Sequence, residues 1–384
     1  MLISDFDYVL PDEKIALFGP KVRGSTKLLV LDRQNGTVSD NLYSNLDQYL
    51  QAGDLVVLND TRVIPAKLLG FRNPDQKKQI NQEPSHGIEI LLTEFHADYL
   101  ERLEDREWTV VYRGNIRAGD FIEFSKKYNA EVLEILLGGL ARLKFNCNPV
   151  ALAIELGEMP IPPYLKRESS VDDMEKYQTE FGVTQGSVAA PTASLNFTNE
   201  LKERLLKKGV RVEYLTLHVG LGTFMPVRVD DVCEHVMHAE YFEIPEQTVL
   251  AINQTKKAGR KVVAVGTTVC RTLEYAAEEI RNTPTSCRPE HSEGSKTDSD
   301  QDASLRSARQ TKSSVITGEA DIFIYPGYEF KLVDILLTNF HAPRSTPLLL
   351  VSAFAGFDLL MKGYQNALNS DYKFLSFGDS CLVI

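Results

Sequence analysis

The chain has no long apolar run. Across its 384 residues no stretch reaches the roughly 18 uncharged apolar residues that a membrane helix needs. The longest candidate, residues 347–360, is interrupted by Ser352, Gly356 and Asp358. The N-terminus holds Asp5, Asp7, Asp12 and Glu13 and lacks a basic start with an apolar run behind it. A signal peptide is therefore not expected, and the protein reads as cytoplasmic with no membrane partner. Cysteine is scarce as well. Cys147, Cys233, Cys270, Cys287 and Cys381 are odd in number, far apart and form no C-x-x-C pair. That argues against a disulfide framework and against a cysteine zinc site. Basic charge is in deficit, with 42 Lys and Arg against 53 Asp and Glu and a net charge of −11. A broad sequence-independent nucleic-acid surface is usually basic, so a nucleic-acid reader here has to concentrate its Lys and Arg. No internal repeat is present.

What the chain has is ordinary globular material, 43% hydrophobic and 25% charged, at a length that suggests two domains. Strand-like runs at 27–32 (KLLVLD) and 54–59 (DLVVLN) flank a helical pattern at 41–50. Between 67 and 145 the apolar runs shorten, to 88–92, 108–113, 120–124, 131–137 and 141–145, with Gly114, Gly119, Gly138 and Gly139 between them. Short strands at such spacing suggest a small antiparallel barrel. From 148 the alternation returns, with helix 198–208 capped by Thr198, strand 211–219, helix 245–258, strand 261–265 and helix 268–280. Order resumes at 321–325 after a polar stretch, and a final helical region covers 346–369. The expectation is an α/β protein. Residues 1–65 and 148–384 form a three-layer α/β/α sandwich, and 66–147 form an inserted small antiparallel β-barrel domain. The polar stretch at about 282–315 cannot offset its ordering entropy and is expected to be a disordered loop.

Four segments place reactive side chains beside glycine or proline. The first, Asn59-Asp60-Thr61-Arg62, directly follows a buried strand, where α/β sheets bind ligands. Asp60 can hold hydroxyls or act as a base, and Arg62 can hold an anion; a turn with a local ion pair is the plain alternative. The second, GSVAAPTASLNFT from Gly186, contains Ala190, Pro191, Thr192 and Asn196. It offers backbone N–H groups at a helix start. Upstream of it, Pro163, Tyr164, Tyr177 and Gln178 can form a wall for a flat base or a packed proline loop. The third, TLHVGLGTF, sets His218 at a strand end beside Gly220, Gly222 and Thr223. His218 is a candidate acid or base or a structural histidine. It is no dinucleotide fingerprint, because G-x-G-x-x-G is missing. Close behind lie Cys233, His235, His238 and Glu240, whose spacing matches no common zinc site. Acid–base or substrate-binding use of His238 and Glu240 is the expectation, and no metal. The fourth is Gly266-Thr267-Thr268 with Arg271 and Glu274, a strand, glycine turn and helix start. Arg271 and Glu274 share one helix face and can simply pair.

Taken together these segments resemble one family, the S-adenosylmethionine:tRNA ribosyltransferase-isomerases of queuosine biosynthesis. The similar stretches include DFDYVLPDEKIA, GDLVVLNDTRVIPAKLLG, IPPYLKR, YQTEFG, GSVAAPTASLNFT and LTLHVGLGTFMPV. VVAVGTTVCRTLE, DIFIYPGYEFK, LLTNFHAPRST and SAFAG follow, in order over nearly the whole chain. The resemblance implies an α/β/α sandwich with an inserted barrel. It implies transfer and isomerisation of the ribosyl group of S-adenosylmethionine, the co-substrate, onto 7-aminomethyl-7-deazaguanine at the tRNA wobble position. Epoxyqueuosine-tRNA, adenine and methionine are the implied products. It implies neither a metal nor an obligatory protein partner, and a monomer is expected. The sulfonium acidifies the adjacent 5′-methylene, so a base must remove that proton. His218 and His238 are the candidates for proton transfer, with Asp60 and Glu240 as carboxylate candidates. Arg271 is a candidate for the methionine carboxylate, and Asn339 and His341 of LLTNFHAPRST join the binding set. Lys166, Arg167, Arg62, Lys67 and Arg72 are candidate tRNA contacts. The family pattern usually has G-L-H-F-T after AAPTA, where this chain has Ser194-Leu195-Asn196-Phe197-Thr198. Ala342 and Pro347 also stand where leucines are usual. An alternative follows from Asn196: a homologue that binds modified tRNA without turnover. A methyltransferase is the third reading, and it lacks the glycine-rich cofactor loop.

Overall fold

The computed structural model describes residues 1–73, 87–93, 106–220, 229–237, 239–283 and 315–384. Strand β1 (Lys27–Asp32) pairs antiparallel with β2 (Thr37–Leu42). A 3-10 helix, Tyr43–Tyr49, leads to β3 (Leu55–Asn59), buried at every position, and one residue later to β4 (Thr61–Val63). Six strands follow: β5 (Lys67–Asn73), β6 (Gly87–Leu92), β7 (Glu107–Arg113), β8 (Phe121–Glu123), β9 (Asn129–Ile135) and β10 (Leu140–Phe145). They close an antiparallel barrel in the order β10-β7-β6-β5-β8-β9. Alternate residues such as Ile90, Val110, Ile122, Val132 and Leu143 fill its interior, as the two-residue period of strands requires.

Helix α1 (Pro149–Leu156) opens on Asn148, whose side chain accepts from the Val150 and Ala151 N–H groups. The short α2 (Asp173–Lys176) precedes β11 (Thr184–Ser187), which pairs parallel with β4. Helix α3 (Asn199–Lys207) carries the expected cap, with Thr198 Oγ1 accepting from Leu201 N at 3.2 Å. Then come β12 (Arg211–Leu217), β13 (Glu240–Pro245), α4 (Glu246–Lys257), β14 (Val262–Val265), α5 (Thr267–Tyr275) and α6 (Ala277–Asn282). The chain ends with β15 (Val315–Ala320), β16 (Ile335–Asn339), α7 (Thr346–Ala355), α8 (Phe357–Asn369) and β17 (Ser380–Val383).

One nine-stranded sheet, β15-β13-β12-β3-β14-β16-β17-β1-β2, spans the molecule. Its centre, β12-β3-β14-β16, is parallel, so those strands are buried on both faces and read as unbroken apolar runs. Helices α4 to α8 pack on one face, through residues such as Ile252, Leu273, Ile280, Leu349 and Leu360. Helix α3 and the 3-10 helix pack on the other, through Leu201, Leu205, Tyr43 and Leu46. This is a three-layer α/β/α sandwich, and the barrel strands interrupt it between β4 and α1.

The differences from expectation have physical reasons. The helix expected at 41–50 is the end of edge strand β2 followed by a 3-10 turn. That strand, TVSDNL, has a mostly exposed pattern that gives no apolar signal. The final helical region is two helices bent by 115°, with Gly356 at φ +83°, a value that ends a helix and that glycine tolerates best. No single helix among the described residues is long and apolar enough to cross a membrane. The expected disordered loop lies outside the described residues except for its two ends, the last residues before 284 and Val315.

Candidate active site

The parallel strands end side by side. Beyond β3 come Asp60 and Thr61, beyond β12 His218, beyond β14 Gly266, and Asn339 closes β16. A cavity of about 150 Å³ lies at this edge, where open α/β sheets bind ligands. Two helices begin at its wall. Helix α7 is self-capped, because Ser345 Oγ accepts from Leu348 N at 3.4 Å and donates to Ala342 O at 2.7 Å. Helix α5 starts at Gly266 with no side-chain cap, and its first helical hydrogen bond runs from Cys270 N to Gly266 O. Gly266, Thr267 and Thr268, the first residues of this start, line the cavity. Such a start favours an anionic ligand group. Thr192 Oγ1 donates to Asn339 Oδ1 at 2.8 Å, which ties the Ala190-Pro191-Thr192 loop to the edge of β16.

Two histidines stand here. The His218 backbone N–H donates to Tyr241 O at 3.1 Å, and its Nδ1 lies 2.8 Å from Thr61 Oγ1. Its neighbour Val219 lines the cavity. Burial holds the ring neutral by pushing its pKa down to about 4, since a charged imidazolium loses its solvation there. His341 lines the cavity directly. Its Nε2 lies 2.8 Å from Thr338 Oγ1 and its backbone N–H donates to Tyr364 Oη. Burial also holds this ring well below the usual imidazole range.

Glu240 and Arg271 form a buried ion pair under the same edge, 5% and 6% exposed. Glu240 Oε1 also accepts from Gly220 N at 3.0 Å, fixing the backbone two residues beyond His218. Arg271 sits in a groove continuous with the cavity through Thr267, Thr268 and Pro347.

Other candidates stand apart. Glu274 turns away from Arg271 and accepts from the N–H groups of Lys331, Leu332 and Val333 at 2.7, 2.9 and 2.9 Å, bracing a loop. Asp60 accepts from Thr216 Oγ1 at 2.7 Å and its carboxyl is raised, chiefly by burial; it does not line the cavity. Gln178 bridges the backbone of Val63 with both ends of its amide. Tyr177 is buried behind the wall against Phe377, while Tyr164 lines the cavity and bonds Ser376. Pro163 and Arg62 are exposed. Asn196 is 2% exposed, and its side-chain oxygen accepts from Gly24 N at 3.2 Å. Gly222, Thr223 and His238 lie outside the described residues. Four of the five basic candidates are held in ion pairs: Lys166 with Asp12, Arg167 with Asp173, Lys67 with Glu158 and Arg72 with Asp120. Among the described residues no group of three or more His, Cys, Asp or Glu is placed to hold a metal ion.

Thr338, Phe340, Ser345, Leu375 and Ser376 line the cavity without having been singled out in the sequence. Ser345 carried a signal, a serine directly ahead of a Thr-Pro helix start. Ser376 carried none, because only the return of the chain before β17 brings it to Tyr164. Ala342 and Pro347 both line the cavity, each with a smaller side chain than leucine.

A family model described as queuosine biosynthesis protein matches residues 3–383. Curated relatives include the S-adenosylmethionine:tRNA ribosyltransferase-isomerases of Chlorobium chlorochromatii, 46% identical over 385 residues, and Halothermothrix orenii, 40% identical over 389 residues. Both matches cover 100% of each chain. The crystal structure of an S-adenosylmethionine tRNA ribosyltransferase from Thermotoga maritima is 32% identical, with a TM-score of 0.51 over 99% of this chain and 100% of that one.

Proposed function

This chain belongs to the queuosine biosynthesis family of S-adenosylmethionine:tRNA ribosyltransferase-isomerases, and from that premise we propose how its site performs the reaction. The tRNA substrate carries 7-aminomethyl-7-deazaguanine at the wobble position. The ribosyl group of S-adenosylmethionine is transferred to it and isomerised, giving epoxyqueuosine-tRNA with release of adenine and methionine. The sandwich of residues 1–65 and 148–384 carries the chemistry, and residues 66–147 form the inserted barrel unit. The reaction is assigned to the cytoplasm, to a monomer, and to a site without metal.

One observation carries this reading. The uncapped start of α5 lines the cavity on the parallel edge of the sheet, the neutral His218 directly precedes Val219 of its lining, and Arg271, paired with Glu240, sits in the adjoining groove. The helix start supplies N–H groups and dipole for the methionine carboxylate. His218, free of its proton near neutral pH, takes the hydrogen of the methylene beside the sulfonium. The adjacent positive sulfur makes a weak base sufficient there. Glu240 holds the Gly220 backbone and balances Arg271. Asp60, Gln178, Glu274 and Asn196 support the surrounding backbone.

A binding protein without turnover finds no support. That reading rested on Asn196, and Asn196 faces the Gly24 backbone rather than the cavity. Accepting an N–H needs an oxygen or a bare nitrogen and no proton exchange. Asn196→Ala should therefore cost about 1–3 kcal/mol of stability by leaving a buried donor unsatisfied, with kcat per folded molecule little changed. Urea melts beside adenine-release assays check this, and a kcat loss without a stability loss would place Asn196 in the chemistry after all.

The assay of the reaction itself mixes the purified chain, S-adenosylmethionine and a chelator with tRNA bearing the aminomethyl base, or with unmodified tRNA. Adenine should appear only with the modified tRNA. Release of S-adenosylhomocysteine would mean methyl transfer, and release of adenine with either tRNA would remove the assigned base from the substrate.

A further inference from the structure

Building on His218 as the base, we propose that Thr61 is the positioning residue that fixes the His218 tautomer, that Nε2 is the atom that takes the proton, and that Gly186 keeps that atom accessible. The argument is a hydrogen count. Thr61 is fully buried, and pairing of β4 with β11 sets it opposite Thr184. Its Oγ1 lies 3.4 Å from Thr184 O and 2.8 Å from His218 Nδ1. A hydroxyl has one hydrogen to give. The carbonyl can only accept, and we assign that hydrogen to Thr184 O, the arrangement that satisfies both contacts at once. Oγ1 then accepts from the ring, which places the ring proton on Nδ1 and leaves the lone pair on Nε2. The opposite tautomer would withdraw the hydroxyl from Thr184. It would also put a hydrogen on Nε2, which meets no acceptor among the described residues.

Gly186 supplies the second, independent observation. A Cβ at this position would lie 2.8 Å from both His218 Cε1 and Nε2, closer than side-chain carbons come. Its φ is +143°, in the region that favours glycine. The register of β11 against β4 shifts between Gln185 and Ser187, as at a β-bulge, a device that re-aims neighbouring groups. Tyr241 lies nearly parallel to the imidazole, with centroids 6.4 Å apart at 21°. Glu240 reaches Gly220, Asp60 reaches Thr216 and Tyr241 reaches Glu243. Among the described residues none of these ionisable groups is bonded to either ring nitrogen.

In the proton transfer, the C–H bond beside the sulfonium breaks and its electron pair stays on that carbon. A new N–H bond forms at Nε2. The resulting imidazolium still donates Nδ1–H to Thr61, so the orienting bond survives both protonation states.

The test uses the full-length protein labelled with 15N-histidine, with the His218 signals identified by their loss in His218→Gln. At neutral pH the expected spectrum has a protonated Nδ1 and a bare Nε2, and a bare Nδ1 with protonated Nε2 overturns the proposal. In parallel, Thr61→Val should lower kcat by ~10- to 100-fold with KM for S-adenosylmethionine nearly constant. Thr61→Ser, which keeps the hydroxyl, should recover most of it. An unchanged kcat in Thr61→Val, or a valine defect that serine fails to recover, overturns the positioning role. The base assignment is judged separately: normal turnover by His218→Gln removes the base, while the wild-type spectrum still decides the tautomer.

Discussion

Replacing His218 with glutamine should lower kcat for adenine release by ~10²- to 10⁴-fold, the range that positioned acid–base groups contribute. Glutamine keeps a polar side chain beside Thr61 but cannot take a proton near neutral pH. Binding of modified tRNA should hardly change, because the ring is 8% exposed and lies at the sheet edge. A kcat within a few-fold of the parent chain would remove His218 from the mechanism and shift attention to His341, the imidazole that lines the cavity. The pH profile offers a second reading. Burial sets the His218 pKa at about 4, so the base is available throughout the neutral range. Its acid limb in kcat/KM should lie near pH 4 rather than at the ~6.5 of an exposed histidine. Stability follows the same sign. The folded pKa lies below the unfolded one, so the neutral ring disfavours folding nothing above pH ~6.5. Below that the unfolded chain binds the proton and the folded one does not, and stability falls as pH drops toward 4. His341 acts in the same direction. Denaturation midpoints between pH 7 and 5 should therefore fall in the parent chain and fall less in His218→Gln.

Glu240→Ala should cost about 3–5 kcal/mol of stability, the usual loss when one partner of a buried ion pair is removed. Arg271 is 6% exposed and its Nε already lacks a hydrogen-bond acceptor among the described residues. Without Glu240 its charge is left in the interior beside α5 with its nearest counter-charge gone. The Gly220 N–H also loses its acceptor, so the backbone that follows His218 loosens and activity should fall together with stability. A double variant, Glu240→Leu with Arg271→Met, should recover much of the stability, because exchanging a buried pair for apolar groups is often neutral. It should not recover turnover if Arg271 contributes to substrate binding. Urea denaturation of the two single variants and the double one gives the coupling energy. A loss below 1 kcal/mol in Glu240→Ala would mean that water reaches the pair, contrary to its burial.

Reading the amino acids alone was enough for the layered architecture and for the segments that meet at the site. Runs such as DLVVLN and KVVAV are apolar without alternation, which is the mark of parallel strands covered on both faces. Glycine-punctuated short strands announced the barrel. Thr198 and Gly266 marked helix starts that the structure contains. Two other strands, β2 at the sheet edge and β17 between β16 and β1, were another matter. β2 exposes most of its residues, and β17 is only four residues long; each is a strand because a neighbour offers it hydrogen bonds.

Within the site, local sequence established which residue types were present but not what each one touches. Arg271 and Glu274 lie three apart on one helix, a spacing that suits a pair, yet Arg271 meets Glu240 from β13 and Glu274 meets a loop more than 50 residues away. Asn196 sits in a motif that meets the cavity at Ala193 and Thr192, but its own side chain turns to Gly24. The one-residue step from Asp60 to Thr61 separates a carboxylate that bonds Thr216 from a hydroxyl that bonds His218. Periodicity and composition act over a few residues, so they determined elements, layers and motif order. The directions of Arg271 and Asn196 depend on partners brought from 31 and 172 positions away, and only the packing of the sheet edge decided them.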